Sequence, residues 1–186
     1  MKPKLFSICF IACSVIGSSF FFLGFLLLPN EQFSPNLQPS FITIFSTNFE
    51  IHFTTIIFSI ISFGFFSLIF LFQQFFSLGF AFHSLVEKTS LKTAYSYFAG
   101  HGIIEIINMF FTAAIGLFVA VCIVNIIRKK ELNKNSFIIL GKNLLVLLII
   151  DLLLLLVAAL LETYLSVIND CKIPNNNGFK FPKNNR

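Results

Sequence analysis

Apolar residues fill this chain in runs that are too long for the helices of a soluble protein. A helix needs about 20 apolar residues to cross a bilayer. Three of the runs therefore predict one crossing each, and a fourth run is long enough for more than one. In chain order the runs are Leu5–Leu28, Phe41–Val86, Ile103–Ile127 and Phe137–Ile168.

The run Phe41–Val86 leaves two arrangements open. It can hold two crossings, or one crossing and a re-entrant segment, with the turn at Gly64 or at the pair Gln73-Gln74. The sequence thus predicts an all-α polytopic membrane helical bundle of four to five transmembrane helices. Five are preferred, because five crossings place the basic cluster Arg128–Lys130 on the cytoplasmic side, where positive charge near span ends is favoured.

Polar residues recur at helical spacing in the last two runs. At about 100° per residue they form one stripe on each helix. The first stripe consists of His101, Glu105, Asn108, Thr112 and Gly116, and the second of Asp151, Ala158, Glu162 and Ser166. Consecutive spans are antiparallel, so Glu105 and Glu162 are expected near the same membrane face. Asp151 is then roughly 16 Å deeper than Glu162, near the middle of the bilayer.

Charged side chains in a span are expected to face protein or water, because exposure to lipid is costly. We therefore expect the two stripes to face each other in an intramembrane polar network. That network would consist of His101, Glu105, Asn108, Thr112, Asp151 and Glu162. Small residues suited to close helix packing accompany it, namely Gly102, Gly116, Ala158 and Ala159.

Two functional alternatives exist for the polar network beside a purely structural role. Asp151, Glu105 and Glu162 could line a wet groove that conducts protons or other ions. A metal hydrolase using His101, Glu105 and Glu162 is disfavoured, because the HExxH motif is absent and the other histidines have no helical partner ligand. No catalytic residue, cofactor or metal is predicted, and the expectation is that the protein is not an enzyme.

Composition supports a membrane protein without a separate soluble domain. Hydrophobic residues make up 56% of the 186 residues and charged residues only 11%, where a soluble domain would have about a quarter charged. The formal net charge of +5 lies in the loops and the tail. It suits contact with the lipid bilayer at anionic head groups, and binding of nucleic acid is not expected.

The chain ends and the connecting segments carry the remaining predictions. Lys2 and Lys4 precede the first run, which predicts an uncleaved span in the cell membrane with a cytoplasmic N-terminus. The polar segment Glu87–Tyr97 is expected to run along the membrane surface. The predicted domains are one membrane-spanning helical domain over residues 1–168 and a disordered basic polar tail over residues 169–186.

Several of these elements together resemble the stage II sporulation protein M family of integral membrane proteins. The resemblance covers roughly Ile44–Val167, and either of its last two motifs alone would be weak. It departs from the family where Gly100 stands for a frequent proline, and where Gln74-Phe75 stands for a frequent Asn-Gly. The elements are Asn48, the stretch Gln73-Gln74-Phe-Phe-Ser-Leu-Gly79, His101-Gly102-x-x-Glu105 with Ala-Ala-x-Gly116, and Val157-Ala-Ala-Leu-Leu-Glu162.

The resemblance implies a non-enzymatic component of a bacterial envelope complex, with other membrane or envelope proteins as partners. In such families these partners include cell-wall hydrolases, during membrane remodelling, or an ABC-type ATPase. The second case implies export of, or immunity to, a membrane-active peptide such as a circular bacteriocin. The alternative from the residues themselves is a small proton- or ion-coupled membrane permease. Oligomeric state and the process served are left open by the sequence.

Overall fold

The computed structural model describes residues 3–27, 40–88, 90–129 and 134–172, and it is entirely helical over those residues. Each helix is long and apolar enough to cross a membrane. The prediction of an all-α bundle of four to five transmembrane helices, with five preferred, is therefore confirmed. The helices are α1 Pro3–Leu26, α2 Phe41–Ile61, α3 Phe65–Lys88, α4 Leu91–Arg128 and α5 Lys134–Lys172.

A tight turn at Gly64 divides the long second run into α2 and α3. Gly64 has φ +91°, and the preceding Phe63 has φ +52°. Glycine adopts positive φ without the steric cost that a Cβ would add, so the chain reverses here. The amide of Gly64 donates to the carbonyl oxygen of Ser59 at 2.7 Å. The run therefore forms two helices of spanning length, as the two-crossing arrangement requires, and the pair Gln73-Gln74 lies inside α3.

Three expected boundaries differ from the structure. The first helix ends at Leu26 and not at Leu28, and α5 continues to Lys172, past the expected limit at 168. The rest of the predicted tail lies outside the described residues. The polar segment Glu87–Tyr97 is not a separate surface element, because α4 begins at Leu91 and runs unbroken into the bilayer.

The central helix of the bundle is α4, which contacts each of the other four helices. Its middle turn is fully buried and carries small residues, including Ala113 and Ala114. Their size lets the neighbouring backbones approach closely. One turn earlier, Phe110 stacks on Phe75 of α3, with ring centroids 4.3 Å apart and an interplanar angle of 7°. The α4 stripe identified from sequence therefore lies inside the bundle.

Two glycines set the crossing of α1 and α3. A Cβ at Gly24 would collide with the carbonyl oxygen of Phe76, and a Cβ at Gly79 would collide with that of Phe21. The contact is reciprocal, since each helix presents a glycine to the backbone of the other. This pair of glycines lets α3 pack closely against α1, on the side of the bundle away from α5. The polar residues are enclosed by the other helices, α2 and α5, together with α4.

Candidate functional site

A third polar stripe lies on α2, in addition to the two expected on α4 and α5. Its residues follow one another at intervals of four, three and four, which is the spacing of one helix face. Three of them are buried: His52, Thr55 and Ser59. The stripe faces α4 and consists of Asn48, His52, Thr55 and Ser59.

The centre of the site is a group of three side chains from three helices, which we call the buried trio: His52 of α2, Thr112 of α4 and Asp151 of α5. The Oγ1 atom of Thr112 lies 2.6 Å from Nδ1 of His52 and 2.7 Å from Oδ1 of Asp151. The direct distance from His52 Nδ1 to Asp151 Oδ1 is 3.5 Å. His52 and Asp151 are each 4% exposed, and Thr112 is fully buried. A single hydroxyl therefore joins two ionisable groups inside the bundle.

The order of atoms in the buried trio differs from that of a nucleophilic triad. In a triad the imidazole stands between the hydroxyl and the carboxylate and uses both ring nitrogens. Here the hydroxyl of Thr112 stands in the middle, and the same ring nitrogen of His52 faces both partners. Thr112 also has the carbonyl oxygen of Asn108 within 3.0 Å. This geometry suits movement of hydrogens between partners and gives the hydroxyl no free path to a substrate.

On the side between α2 and α5, the surroundings of the buried trio are apolar. A cavity of about 180 Å³ lies between α2 and α5, beside His52 and Asp151. Its remaining walls are aromatic and aliphatic, and they include Phe53, Ile56 and Leu155. The edge of the Phe70 ring approaches the His52 ring from α3, with centroids 6.2 Å apart. A net charge on the trio would therefore be poorly solvated.

Glu105 and Glu162 line one cavity of about 220 Å³, which we call the carboxylate cavity. The first turns of α2 supply its other walls, with Thr43, Thr47 and Asn48 among them. Ser40 caps this end of α2 by accepting a hydrogen bond from the Thr43 amide at 3.3 Å. The cavity therefore lies where α2 begins and α5 approaches its end, on the same side of the bundle as the start of the α4 span.

Asn108 occupies the helical step between the carboxylate cavity and the buried trio. It is 1% exposed, and its Oδ1 atom accepts no hydrogen bond within the described structure. On the side of the trio away from the carboxylate cavity, the α4 stripe continues to Gly116, which packs against Ser59 and Ser67. Those two hydroxyls are hydrogen-bonded to each other at 2.8 Å. Polar groups thus line the α2–α4 interface over about three turns.

The structure brings most of the sequence-derived site residues to this interface. Glu105 and Glu162 share the carboxylate cavity, Thr112 bonds to Asp151, and Asn108 is buried between them. Gly102, Ala158 and Ala159 are buried. The side chains of His101 and Ser166 lie outside the described part of the structure.

Sequence reasoning missed His52, which it set aside for lack of a helical partner ligand. The partners are on other helices, and the spacing of Asn48, His52, Thr55 and Ser59 was the available signal.

A second polar groove lies between α2 and α3, on the side of α2 that carries Glu50, and we call it the α2–α3 groove. Its volume is about 270 Å³, and Glu50, Thr54, Gln73 and Gln74 are among its lining residues. Glu50 lies near the middle of the α2 span and is exposed at the surface of the bundle. It makes no hydrogen bond or ion pair with any described residue. No group of three His, Cys, Asp or Glu residues is placed to hold a metal ion in the searched, described regions.

The comparisons with known proteins give one match. The family model described as stage II sporulation protein M matches residues 5–167. That range includes all five candidate spans except the first residue of the first span, Lys4. It contains the buried trio, the carboxylate cavity and the α2–α3 groove. No curated protein and no solved structure is significantly similar to the chain.

Proposed function

Because the chain belongs to the stage II sporulation protein M family, we propose that it is a non-enzymatic membrane component of a bacterial envelope complex. In this role it recruits a partner by binding one of the partner's transmembrane helices in the α2–α3 groove. The observation that carries the proposal is Glu50, an unpartnered carboxylate at mid-span on the outer surface of the bundle.

Glu50 is costly where it stands unless something covers it. A charged side chain at the centre of a membrane helix costs about 2.5–3.5 kcal/mol on insertion scales. Intramembrane carboxylates normally face the bundle interior or a partner. Because Glu50 lies on the face of α2 opposite the buried trio, no element of this chain that the structure describes shields it. A partner helix is the arrangement that removes this cost.

The lining of the groove defines the chemistry of the partner. Glu50 requires a hydrogen-bond donor, which a lysine, an arginine or an amide side chain of a partner helix supplies. Gln73 and Gln74 of α3 and the hydroxyl of Thr54 offer additional donors and acceptors along the same groove. An apolar helix with one basic or amide residue at mid-bilayer depth matches this pattern. Such a match fixes the orientation and the register of the partner helix. A partner helix with its donor at another depth would leave the Glu50 carboxylate unpaired.

Two envelope processes fit a component of this kind. One is membrane remodelling together with cell-wall hydrolases. The other is export of, or immunity to, a membrane-active peptide such as a circular bacteriocin, together with an ABC-type ATPase. The identity of the partner distinguishes these two processes, since a wall hydrolase and a transport ATPase are different proteins.

Site-specific photo-crosslinking in the native membrane tests the proposal. A photoreactive residue placed at Gln73 should crosslink an integral membrane protein through one of its transmembrane helices. Mass spectrometry should locate a basic or amide residue near the attachment point in that helix. The substitution Glu50→Leu should reduce the crosslink at least about tenfold, which corresponds to one broken charge-assisted contact of roughly 1.4 kcal/mol.

Two controls make this experiment decisive. A photoreactive residue at Leu153, on the lipid-facing side of α5, should give no crosslink to the same protein. Glu50→Leu should leave the protein folded and should not lower its thermal stability, because it removes a carboxylate from the lipid surface. A crosslink to a second copy of this chain, or one that persists in Glu50→Leu, would contradict the partner-helix proposal.

A second candidate function, a small proton- or ion-coupled permease, is favoured by the polar interface of α2, α4 and α5. Acidic and hydroxyl side chains extend from the carboxylate cavity through Asn108 to the buried trio. Ionisable groups inside spans frequently mark ion pathways. The groups of this interface differ from those of the α2–α3 groove, so the two candidates can be tested separately.

A further inference from the structure

We propose that the buried trio is a one-proton binding site in the membrane core and that protons reach it through the carboxylate cavity. This goes beyond partner recruitment and does not rest on it, because Glu50 carries the one proposal and His52, Thr112 and Asp151 carry the other. It also holds whether or not protons are conducted across the membrane, since a proton can be bound without being released on the other side.

The two short contacts of Thr112 require two hydrogens. The hydroxyl has only one, and the contacts to His52 Nδ1 and Asp151 Oδ1 are both short enough to be hydrogen bonds. When Thr112 donates to His52, the second hydrogen sits on the Asp151 carboxyl and is donated to Thr112. When Thr112 donates to Asp151, the second hydrogen sits on His52 Nδ1. Each arrangement satisfies both contacts.

One concerted shift of hydrogens interconverts these arrangements without moving a heavy atom. The O–H bond of the Asp151 carboxyl breaks as Thr112 Oγ1 gains that hydrogen. The original O–H bond of Thr112 breaks as His52 Nδ1 gains its hydrogen. Neutral Asp151 and neutral His52 thereby become a carboxylate and an imidazolium, and the total charge stays at zero. Thr112 thus acts as a positioning residue and a relay between the two ionisable groups.

Charge balance identifies the loaded state. With one proton shared, the pair is neutral in either arrangement. Without it, a carboxylate remains beside a neutral imidazole, next to a cavity whose other walls are apolar. A buried charge without a counter-ion is strongly disfavoured, and the loaded pair is therefore the state that the proposal assigns to this site. Whether another group could supply the missing positive charge depends on the residues that the neighbouring helices place near the trio.

Among the residues that the structure describes, no nearby cation takes the place of the proton. α3 presents the Phe70 ring to His52, and α1 contacts only α3 and α4. On α4 the nearest ionisable group is Glu105, about two turns away. On α5, Lys142 and Glu162 are each more than two turns from Asp151, and Glu50 of α2 lies on the opposite face. The charged groups of these residues make no contact with the trio.

The carboxylate cavity supplies the route of access. Glu105 and Glu162 lie together near the membrane face, and Asn108 stands one turn from Glu105 and one turn from Thr112. The unpartnered Oδ1 of Asn108 is a buried acceptor on this step. Acidic groups at the entrance attract cations and exchange protons with water. The acceptor atom of Asn108 lies between this entrance and the trio. The polar path from this membrane face ends at His52 and Asp151, and this pair has no net charge once it has bound its proton.

Infrared difference spectroscopy of the full chain in lipid nanodiscs tests the proposal. On titration, the wild-type protein should show a C=O stretching band of a protonated carboxyl that shifts in D₂O. Asp151→Asn should remove this band, and the variant should take up about one proton fewer per chain over the same titration. Glu50→Leu should retain the band, so failure of the partner proposal and failure of this one are distinguishable.

A matched pair at Thr112 tests the relay. Thr112→Ser keeps the hydroxyl and should retain the wild-type titration midpoint. Thr112→Val is nearly isosteric but removes the hydroxyl, and it should shift both the midpoint and the frequency of the Asp151 band. If Val behaves as Ser does, Thr112 is not a relay. If Asp151→Asn changes neither the carboxyl bands nor the number of protons taken up, the trio binds no proton and the proposal is wrong. Circular dichroism verifies that each variant is folded.

Discussion

Two acidic residues of this chain lie near mid-membrane in opposite surroundings. Asp151 is buried among α2, α4 and α5, where Thr112 donates to it. Glu50 is exposed on the outer face of α2 and contacts no described donor. Burial with a partner indicates an internal role, whereas exposure without one indicates that the partner comes from outside the chain. The two carboxylates therefore support different proposals.

At the scale of single residues, the permease hypothesis predicts proton flux that depends on Asp151. Reconstituted wild-type protein should dissipate a pH gradient across liposomes containing a pH-sensitive dye. Asp151→Asn should lower that rate at least about tenfold, because the amide cannot accept and release a proton at these pH values. Glu87→Gln, at an exposed position near the end of α3, is the matched control and should conduct normally. Equal flux in Asp151→Asn and wild type would remove the permease hypothesis.

Among the helices, close backbone contact is concentrated where α1 crosses α3. Gly24 and Gly79 each face a carbonyl oxygen of the other helix. Membrane helices gain little from the hydrophobic effect and associate through close packing, so small residues at a crossing are important. The same crossing helps to hold α3, and with it Gln73 and Gln74, in position beside α2. The packing of α1 against α3 therefore affects the shape of the α2–α3 groove.

At the scale of helices, Gly79→Ala should destabilise the bundle. The added Cβ meets backbone of α1 that cannot rotate away, and overpacking of this kind costs about 1–3 kcal/mol. Gly141→Ala is the control, because nothing lies within 4 Å of its added Cβ and alanine favours helix by up to about 1 kcal/mol. Thermal unfolding in detergent should rank Gly141→Ala at or above wild type and Gly79→Ala clearly below. Equal stability of the two variants would contradict the crossing described for α1 and α3.

Considered as a whole, the molecule has two helices that exceed the membrane. α4 has 38 residues and α5 has 39, which gives each a length of about 57 Å against a hydrocarbon core of about 30 Å. The candidate span of α4 begins at Gly102, so the turns from Leu91 onward extend beyond it. The carboxylate cavity lies on that side. Orientation decides whether the cavity opens to the cytoplasm or to the outside.

For the whole molecule, the positive-inside rule predicts that the N-terminus is cytoplasmic and that α4 begins outside. Leu91→Cys should therefore react with a membrane-impermeant thiol reagent in intact cells. Lys129→Cys should react only after the membrane is permeabilised, since Arg128 and Lys129 end the same helix on the cytoplasmic side. The four native cysteines are replaced first, namely Cys9, Cys13, Cys122 and Cys171. The opposite labelling pattern would invert the orientation.

The sequence by itself determined the architecture, because each bilayer crossing is a local requirement. Twenty or so apolar residues form a span whatever surrounds them, since backbone groups in lipid must bond within their own helix. Periodicity likewise placed Glu105, Asn108 and Thr112 on one face of α4. The division of the second run depended on one local feature, and Gly64 was one of the two positions identified for its turn. Motif spacing was also sufficient to indicate the family.

Only the tertiary structure decided which polar residues meet. His52 lies in an apolar run, 60 residues before Thr112, and no local pattern connects the two residues. Their contact depends on the rotation of α2 against α4 and on the small side chains that allow the approach. The same rotation turns Glu50 outward to the α2–α3 groove while it turns His52 toward Asp151. Spacing within a helix fixes which residues share a face, but packing between helices fixes what that face contacts.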